Sequence, residues 1–476
     1  MILAQRRFNY ADQSLFAEVT GDHNPMHMDS LQARRTQAGA PVVHGIHLLL
    51  WALDSLRAAQ PELPPVRRIR AQFNKFIYLE EAADLEIVQQ RATSARLVIS
   101  VGGAPRSKLS LDFGDEIQDS PALPDISSKS IPISKSPIDL DFEQMSDQSG
   151  AFAFHMKKED AEALFPAATE WLGASRIAAL GASTYLVGMV CPGLHSIYSE
   201  IAVNTCEMPG SQDSLSFRVT ETDPRFRSVD QEVAGGGLVG TVKGFARTPP
   251  VQQATMESLT GVVGSADFAG SIALIVGGSR GLGELTAKLI ATGGGRVLVT
   301  WQSGKEDAEK VAEEIRAAGG ACEALQFDAR KPAEEQIAHL VDAPTHLYYF
   351  ATPAIFKPQA EIFATERLLE FCAVYVQGFW DLSRALRARQ PSLSIFYPSS
   401  VSVTERPRGM TEYTMAKAAG EVLCADMNDS IAPTHVTVSR LPRLPTDQTA
   451  SITAIETADP VETMLPLIRE VQSWPR

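Results

Sequence analysis

Hydrophobic and polar positions follow different rhythms along this chain. Toward the C-terminus, short apolar runs alternate with helical patterns, the mark of βαβ units on a parallel sheet. The runs Ile272–Val276, Arg296–Trp301, Ala324–Asp328, His346–Ala351, Ser394–Ser399 and Val436–Leu441 predict strands, and Glu306–Ala318 predicts a helix between the second and third. Nearer the N-terminus, Leu48–Ala59 reads as an apolar helical stretch. From about Ile117 to Ser149 the pattern lapses, with Pro121, Pro124, Pro132 and Pro137 set among Ser and Asp. Such a stretch has too little apolar surface to order itself and reads as a linker. A shorter link runs from Pro249 to about Asp267. The resulting division is a domain over 1–116, a linker over 117–149, a second domain over 150–250, a linker over 251–268 and a third domain over 269–476.

The first two domains share a weak echo. Val42-Val43-His44-Gly45-Ile46-His47 resembles Val190-Cys191-Pro192-Gly193-Leu194-His195. A duplicated unit and a chance match between two glycine-containing helix starts both account for it.

Composition narrows the setting. A length of 476 residues suggests about three domains at ~150 residues each. With 44% hydrophobic and 21% charged residues, the chain is globular rather than disordered. A net charge of −14 argues against nucleic-acid or anionic-membrane partners. The five cysteines are scattered with no CxxC pair, which predicts reduced thiols in the cytoplasm. Arg6 and Arg7 have no apolar run behind them, so no signal peptide is expected, and no run approaches the length of a membrane span.

The first chemistry lies in Phe16–Asp29. Asp22 and His27 are five apart, a spacing that an uninterrupted helix would not put on one face. Pro25 disfavours a helical Asn24, and a turn there could bring carboxylate and imidazole together. Such a dyad suits reversible addition of water to an enoyl thioester, since one group removes a proton while the other delivers one. The developing enolate oxygen also needs donors, and a helix N-terminus supplies backbone N–H groups. His44-Gly45 is where these are expected, Gly45 allowing close approach of the thioester. His23 and His27 do not make a metal pair, because Pro25 stands between them and no third ligand is evident.

The string Gly21-Asp22-x-Asn24-Pro25-x-His27-x-Asp29, followed by Val43-His44-Gly45, resembles the MaoC-type (R)-specific enoyl-CoA hydratases and 3-hydroxyacyl dehydratases. The resemblance implies a hotdog fold, in which a sheet wraps a long helix. It places the catalytic pair on Asp22 and His27 and the oxyanion donor on the Gly45 amide. The second domain has no such string: the corresponding region reads Phe165–Trp171, and Pro192 replaces the histidine. The expectation is a degenerate second hotdog that completes the sheet and acyl pocket.

In the third domain, strand Ile272–Val276 runs into Gly277-Gly278-Ser279-Arg280-Gly281-Leu282-Gly283 and then a helix opening at Glu284. Glycines allow a tight turn and close approach of a pyrophosphate to a helix N-terminus. Downstream, Tyr413 and Lys417 lie four apart on a predicted helix and share a face. A lysine beside a phenol favours the phenolate, which tunes the tyrosine as an acid toward a carbonyl receiving hydride. Ser400, ending an apolar strand, could bond the same carbonyl.

This set resembles the short-chain dehydrogenase/reductases, especially 3-oxoacyl-carrier-protein reductases and polyketide ketoreductases. It implies a Rossmann-like fold with Ser400 orienting the carbonyl, Tyr413 donating the proton and Lys417 holding the ribose. The cofactor contacts fall on Gly277, Ser279, Arg280, Gly281, Leu282 and Gly283, with Asp328 at the adenine position. Thr300-Trp301-Gln302 lacks the acid that would bind a 2′-hydroxyl, and Arg280 can meet a 2′-phosphate; both favour NADPH over NAD. Three positions depart from the family: Tyr375 stands where asparagine is usual, Ala351-Thr352-Pro353 replaces Asn-Ala-Gly, and Leu441-Pro442-Arg443 lacks Pro-Gly.

The fold class expected is therefore a multidomain chain, an α+β double hotdog followed by an α/β Rossmann-like doubly wound sheet. The function expected is bifunctional: NADPH-dependent reduction of a 3-oxoacyl thioester to the (3R)-hydroxyacyl thioester, and its dehydration to the 2-enoyl thioester or the reverse hydration. One alternative is an active dehydratase with a catalytically poor, nucleotide-binding reductase domain. Another is a non-catalytic acyl-thioester and nucleotide binding module. The partners implied are acyl-CoA or acyl-carrier-protein thioesters and a second copy in a homodimer, with no metal, nucleic acid or membrane.

Overall fold

The computed structural model describes residues 2–115, 129–207, 213–355, 362–449 and 456–474. They form two compact units, Met1–Pro249, and Pro250–Ala450 with Ile455–Arg476. Among the described residues no helix is long and apolar enough to cross a membrane.

The first unit is built on ten strands: β1 (Ile2–Arg7), β2 (Val66–Phe73), β3 (Ala82–Arg91), β4 (Ser94–Val101), β5 (Ala104–Phe113), β6 (Ser149–Ala153), β7 (Ser196–Thr205), β8 (Ser214–Asp223), β9 (Ser228–Gly235) and β10 (Leu238–Ala246). One sheet holds them in the order β1-β3-β4-β5-β2-β7-β10-β9-β8-β6. Read inward from either edge, the two five-strand halves have the same order, and they join where β2 pairs antiparallel with β7. Arg70 crosses that seam with a bidentate bond to Glu200 at 2.7 and 3.0 Å. This exposed pair is worth at most about 1 kcal/mol.

Each half carries a long helix, Gly45–Ala59 in the first and Ala174–Tyr185 in the second, the latter running on through a widened turn at Leu186–Val190. Ile46 through Leu53 is buried without a break, as is Ile177 through Tyr185. Burial on every face explains why both read as apolar rather than striped. The echo proposed from sequence does not survive this placement. His44-Gly45 opens its helix, whereas Cys191–His195 follows the end of the other, so the two strings occupy opposite helix ends.

Residues 129–149 are not a free linker. Phe142 and Met145 are buried in the first unit's core, and Ile138 N–H bonds Met189 O at 2.8 Å. The rest of that predicted linker, 116–128, lies outside the described residues.

The second unit holds β11 (Ile272–Val276), β12 (Arg296–Trp301), β13 (Ala321–Gln326), β14 (His346–Tyr349), β15 (Ser394–Ser400) and β16 (His435–Leu441). All neighbours pair parallel, in the order β13-β12-β11-β14-β15-β16. Alternate residues of β11 face two different cores. Ala273 and Ile275 pack with Leu285, Val311 and Ile468, while Leu274 and Val276 pack with Phe371, Phe379 and Leu386. Helices therefore cover both faces, and the sheet is doubly wound. The predicted second linker belongs to this unit, because Met256, Leu259, Val263 and Phe268 are buried in its core. The third strand begins three residues earlier than its apolar run suggested, at Ala321 rather than Ala324.

Candidate functional site

The turn that carries Asp22 is set by neighbouring caps. Asn9 and Asp12 form a reciprocal capping box that starts the helix Tyr10–Thr20. Gly21 ends it at φ 78°, a left-handed conformation that glycine adopts without strain, and a Cβ there would lie 2.9 Å from His155 Nδ1. Asn24 then caps a new turn, Pro25–Met28, with its Oδ1 accepting from Met26 N–H at 3.0 Å and Pro25 at the first position. Helix stop, turn and helix start follow within five residues. The result brings ligating atoms of Asp22, His27 and His44 within 4.8 Å of one another.

His27 donates through Nδ1 to the Val42 carbonyl at 2.7 Å. A carbonyl can only accept, so in the neutral ring the proton sits on Nδ1 and Nε2 keeps its lone pair. Gln13 holds the same carbonyl at 2.9 Å. The rings of His27 and His44 stack with centroids 3.8 Å apart. His44 is wholly buried, with Nε2 3.2 Å from the Asp22 carbonyl and 3.8 Å from Asp22 Oδ2. Burial, and the neighbouring histidines, push its pKa well below the ordinary range. The His27 bond to Val42 leaves Nε2 able to ligate a metal, whereas a metal on His44 Nε2 would displace its contact with the Asp22 carbonyl.

Asp22 is 1% exposed, and burial raises its pKa, although His27, the Thr184 hydroxyl and the Asn24 N–H each pull it down. Thr184 donates to Oδ2 at 2.7 Å and Asn24 N–H to Oδ1 at 3.2 Å. Thr184 belongs to the helix of the other half. So does the fit around the carboxylate: a Cβ on Gly188 would stand 2.3 Å from Asp22 Oδ1. The Asn24 side-chain amide donates to the carbonyls of Gly188, Gly193 and Leu194 at 2.7, 3.1 and 3.3 Å. Gly45 is the first residue of its helix, among the N–H groups that have no partner within the helix, and Phe73 packs where its Cβ would be.

In the second unit, Gly277 at φ 79° and Gly281 at φ 59° shape the turn after β11, and a Cβ on Gly283 would meet Gly277 O at 2.2 Å. Ser279 is buried, Leu282 is partly buried, and the loop opens the helix Gly281–Thr292, three residues earlier than expected. Backbone space that only glycine leaves, at a helix N-terminus, fits a dinucleotide pyrophosphate. Ser400 ends β15, and Tyr413 and Lys417 lie on the helix Thr411–Ser430. The Ser400 hydroxyl acts on Tyr413 to lower its pKa. Lys417 Nζ donates to Pro398 O at 2.7 Å.

Residues 4–104 match the family described as MaoC like domain, and residues 271–456 match short chain dehydrogenase. The chain joins a MaoC-like domain to a short-chain dehydrogenase domain. A short-chain dehydrogenase/reductase from Pestalotiopsis microspora is 40% identical over 62 residues, 13% of this chain and 23% of that one. The 3-oxoacyl-[acyl-carrier-protein] reductase of Synechocystis is 27% identical over 211 residues, 42% of this chain and 82% of the relative. Across several such relatives the chain spans only about a quarter of their length, 23 to 27%. A solved 3-oxoacyl (acyl-carrier-protein) reductase from Agrobacterium tumefaciens, with NADP bound, is 18% identical, with a TM-score of 0.39 over 43% of this chain and 88% of that one.

Two expectations about the dehydrogenase domain need correcting. Tyr413 is not acidified: burial raises its pKa, against the lowering by Ser400, and Lys417 is itself pushed down to about 7 by burial. The ammonium sits 5.9 Å from the Tyr413 ring, too distant and too desolvated to reverse that. Arg280, expected to meet a 2′-phosphate, is paired with buried Asp447 at 3.1 Å. Asp328 follows β13, bonded to Arg330 at 3.1 Å and to Gln302 at 3.3 Å.

Reading the MaoC-like motif missed Thr184 and Gly188, which lie over 150 positions away on the chain and carry no motif of their own. It also missed the His44 side chain, seen only as a flag for Gly45.

Proposed function

We propose that the chain is a bifunctional acyl-thioester enzyme. The dehydrogenase unit reduces a 3-oxoacyl thioester to the (3R)-hydroxyacyl thioester, and the MaoC-like unit removes water to give the 2-enoyl thioester or adds it in reverse. The observation that carries this reading is the meeting of Asp22 and His27 at a buried turn. In dehydration, His27 Nε2 takes the proton from C2, and Asp22, which burial helps to keep protonated, gives its proton to the departing hydroxyl. The C3–O bond breaks and water leaves. His27 then holds one proton more and Asp22 one fewer, and their proximity lets the proton return. Charge on the thioester oxygen faces the helix start at Gly45.

The shared strand order of the two halves supports reading the first unit as a double hotdog whose second half, 150–250, has lost its own dyad and serves the first.

In the dehydrogenase unit, Gly277, Ser279, Gly281, Leu282 and Gly283 would hold a dinucleotide. The nicotinamide, when bound, supplies the hydride. Ser400 orients the carbonyl, Tyr413 gives its oxygen a proton, and Lys417 would hold the ribose. The lack of an acid at Thr300-Trp301-Gln302 supports NADPH, while Arg280 would first have to leave Asp447. Acyl-CoA and acyl-carrier-protein thioesters both fit, in a cytoplasmic homodimer.

The second reading is an active dehydratase with a poor reductase, favoured by Tyr375 in place of asparagine. Incubation with 3-oxoacyl thioesters of graded length on both carriers, with NADPH and mass detection, separates the two. Hydroxy and enoyl products that vanish in Tyr413→Phe support the bifunctional enzyme; no reduction of any thioester supports the second reading.

A further inference from the structure

We propose that Tyr375 is a positioning residue, the face of its ring holding the Lys417 ammonium beside Tyr413. Tyr375 lies in a widened helical turn, Ala373–Gly378, and is 1% exposed. Its ring is fixed without help from the lysine. Phe371 lies parallel to it at 5.7 Å, Tyr413 meets it edge-on at 5.8 Å, and its hydroxyl bonds Thr352 at the surface. Lys417 Nζ stands 4.0 Å from the centre of that ring, nearer than to Tyr397 at 5.1 Å or Tyr413 at 5.9 Å.

The ammonium has few other ways to be stabilised. It donates to Pro398 O, while Glu421 on the same helix is committed to Arg440 at 2.7 Å and to Ser399. The groups facing it are Tyr413, Glu421 and Cys424 from its own helix, Tyr375 from the widened turn and Tyr397 from β15. A buried cation without a carboxylate partner is drawn to the negative face of an aromatic ring. Burial pushes Lys417 down to about 7, so a modest loss of ring attraction changes its charge near neutrality. Tyr375 thus steadies Lys417 at a position where the resembled family has asparagine, and does so with its ring rather than its hydroxyl.

The inference rests on the reductase reading only for its kinetic consequence, and the test therefore has a readout that needs no turnover. In the full chain, Tyr375 is replaced by phenylalanine and by phenylalanines carrying one, two and three fluorines, which weaken the ring face with little change of volume. Lys417 is titrated by NMR in protein carrying carbon-13 lysine, with Lys417→Met assigning the signal. Tyr375→Phe should leave the midpoint in place, since the ring face remains. Each fluorine should lower it, by about one pH unit across the series, a tenfold change in the protonation equilibrium. Any alkaline limb of NADPH oxidation should move with it. A midpoint unmoved across the series, or moved by Tyr375→Phe as far as by the trifluoro ring, would overturn the proposal. A midpoint that moves in a chain oxidising no NADPH would uphold the role of Tyr375 and sink the reductase reading instead.

Discussion

The half of the ten-stranded sheet made from β1–β5 and the half made from β6–β10 follow one strand order and bring different chemistry to the surroundings of Asp22. The first supplies the groups that can carry protons: Asp22, His27 and His44. The second supplies a hydroxyl from Thr184, empty space at Gly188 and three backbone carbonyls that grip Asn24. Neither half holds a complete site. The difference teaches that a half without a motif can still influence the carboxylate in the other, because burial and hydrogen bonding, rather than sequence proximity, set its pKa.

The comparison breaks most sharply at the reactive side. His27→Ala and Asp22→Asn should each cut hydration and dehydration by roughly 10²–10⁴-fold, read from steady-state kcat, with folding preserved. Asp22→Asn should also raise the Tm near neutral pH. The folded pKa lies above the unfolded value of 3.8, so this carboxyl's stabilising contribution is complete only below that value and lost as pH rises through the folded pKa. Asparagine, neutral at every pH, removes this dependence.

On the supporting side, Gly188→Ala should be nearly as damaging as a dyad change. Its Cβ would stand 2.3 Å from Asp22 Oδ1, so the carboxylate must move. A loss of activity of about 100-fold, with roughly 1–3 kcal/mol of destabilisation by denaturant, is expected from such overpacking. Thr184→Val should act more mildly, by about tenfold in kcat, since one ordinary hydrogen bond is worth roughly 0.5–1.5 kcal/mol. Losing that donor should raise the Asp22 pKa further, moving the corresponding limb of the pH profile upward. An unchanged profile would assign Thr184 to packing alone.

A further effect appears in acid. His44 and His47, both in the first half, are buried with pKa values pushed down, His47 to about 3. Because these folded values lie below the unfolded 6.5, stability is present above 6.5 and lost as pH falls toward the folded pKa. Each group should contribute a slope of about 1.4 kcal/mol per pH unit below that point. His47→Phe, whose ring can keep the stack on Phe16 at 4.4 Å, should remove the His47 contribution to the acid slope in urea titrations run across pH.

The doubly wound sheet was readable because each strand of the second unit is a short apolar run with its own turn signals, and the glycine loop needs glycine for steric reasons that leave their mark in the letters. The Asp22–His27 meeting was readable for a similar reason, since Gly21, Asn24 and Pro25 together encode a helix stop and restart. What could not be read was long-range. Thr184 and Gly188 are ordinary residues on an apolar helix until the sheet folds them against Asp22. The prolines of 129–149 looked like a linker because periodicity does not register two buried side chains, Phe142 and Met145, in an irregular segment. The expected acidification of Tyr413 failed because spacing reports that two groups share a face, not how much water both have lost.

One measurement bears most directly on the dyad proposed to move water: the formation of 2-enoyl thioester from a (3R)-hydroxyacyl thioester, without nicotinamide, by the intact chain and by His27→Ala at equal, verified folding. The account predicts turnover by the intact chain and a rate at least a hundredfold lower, on the order of 10² or more, in the variant. Equal rates in the two proteins, or no enoyl product from the intact chain on either carrier, would contradict it.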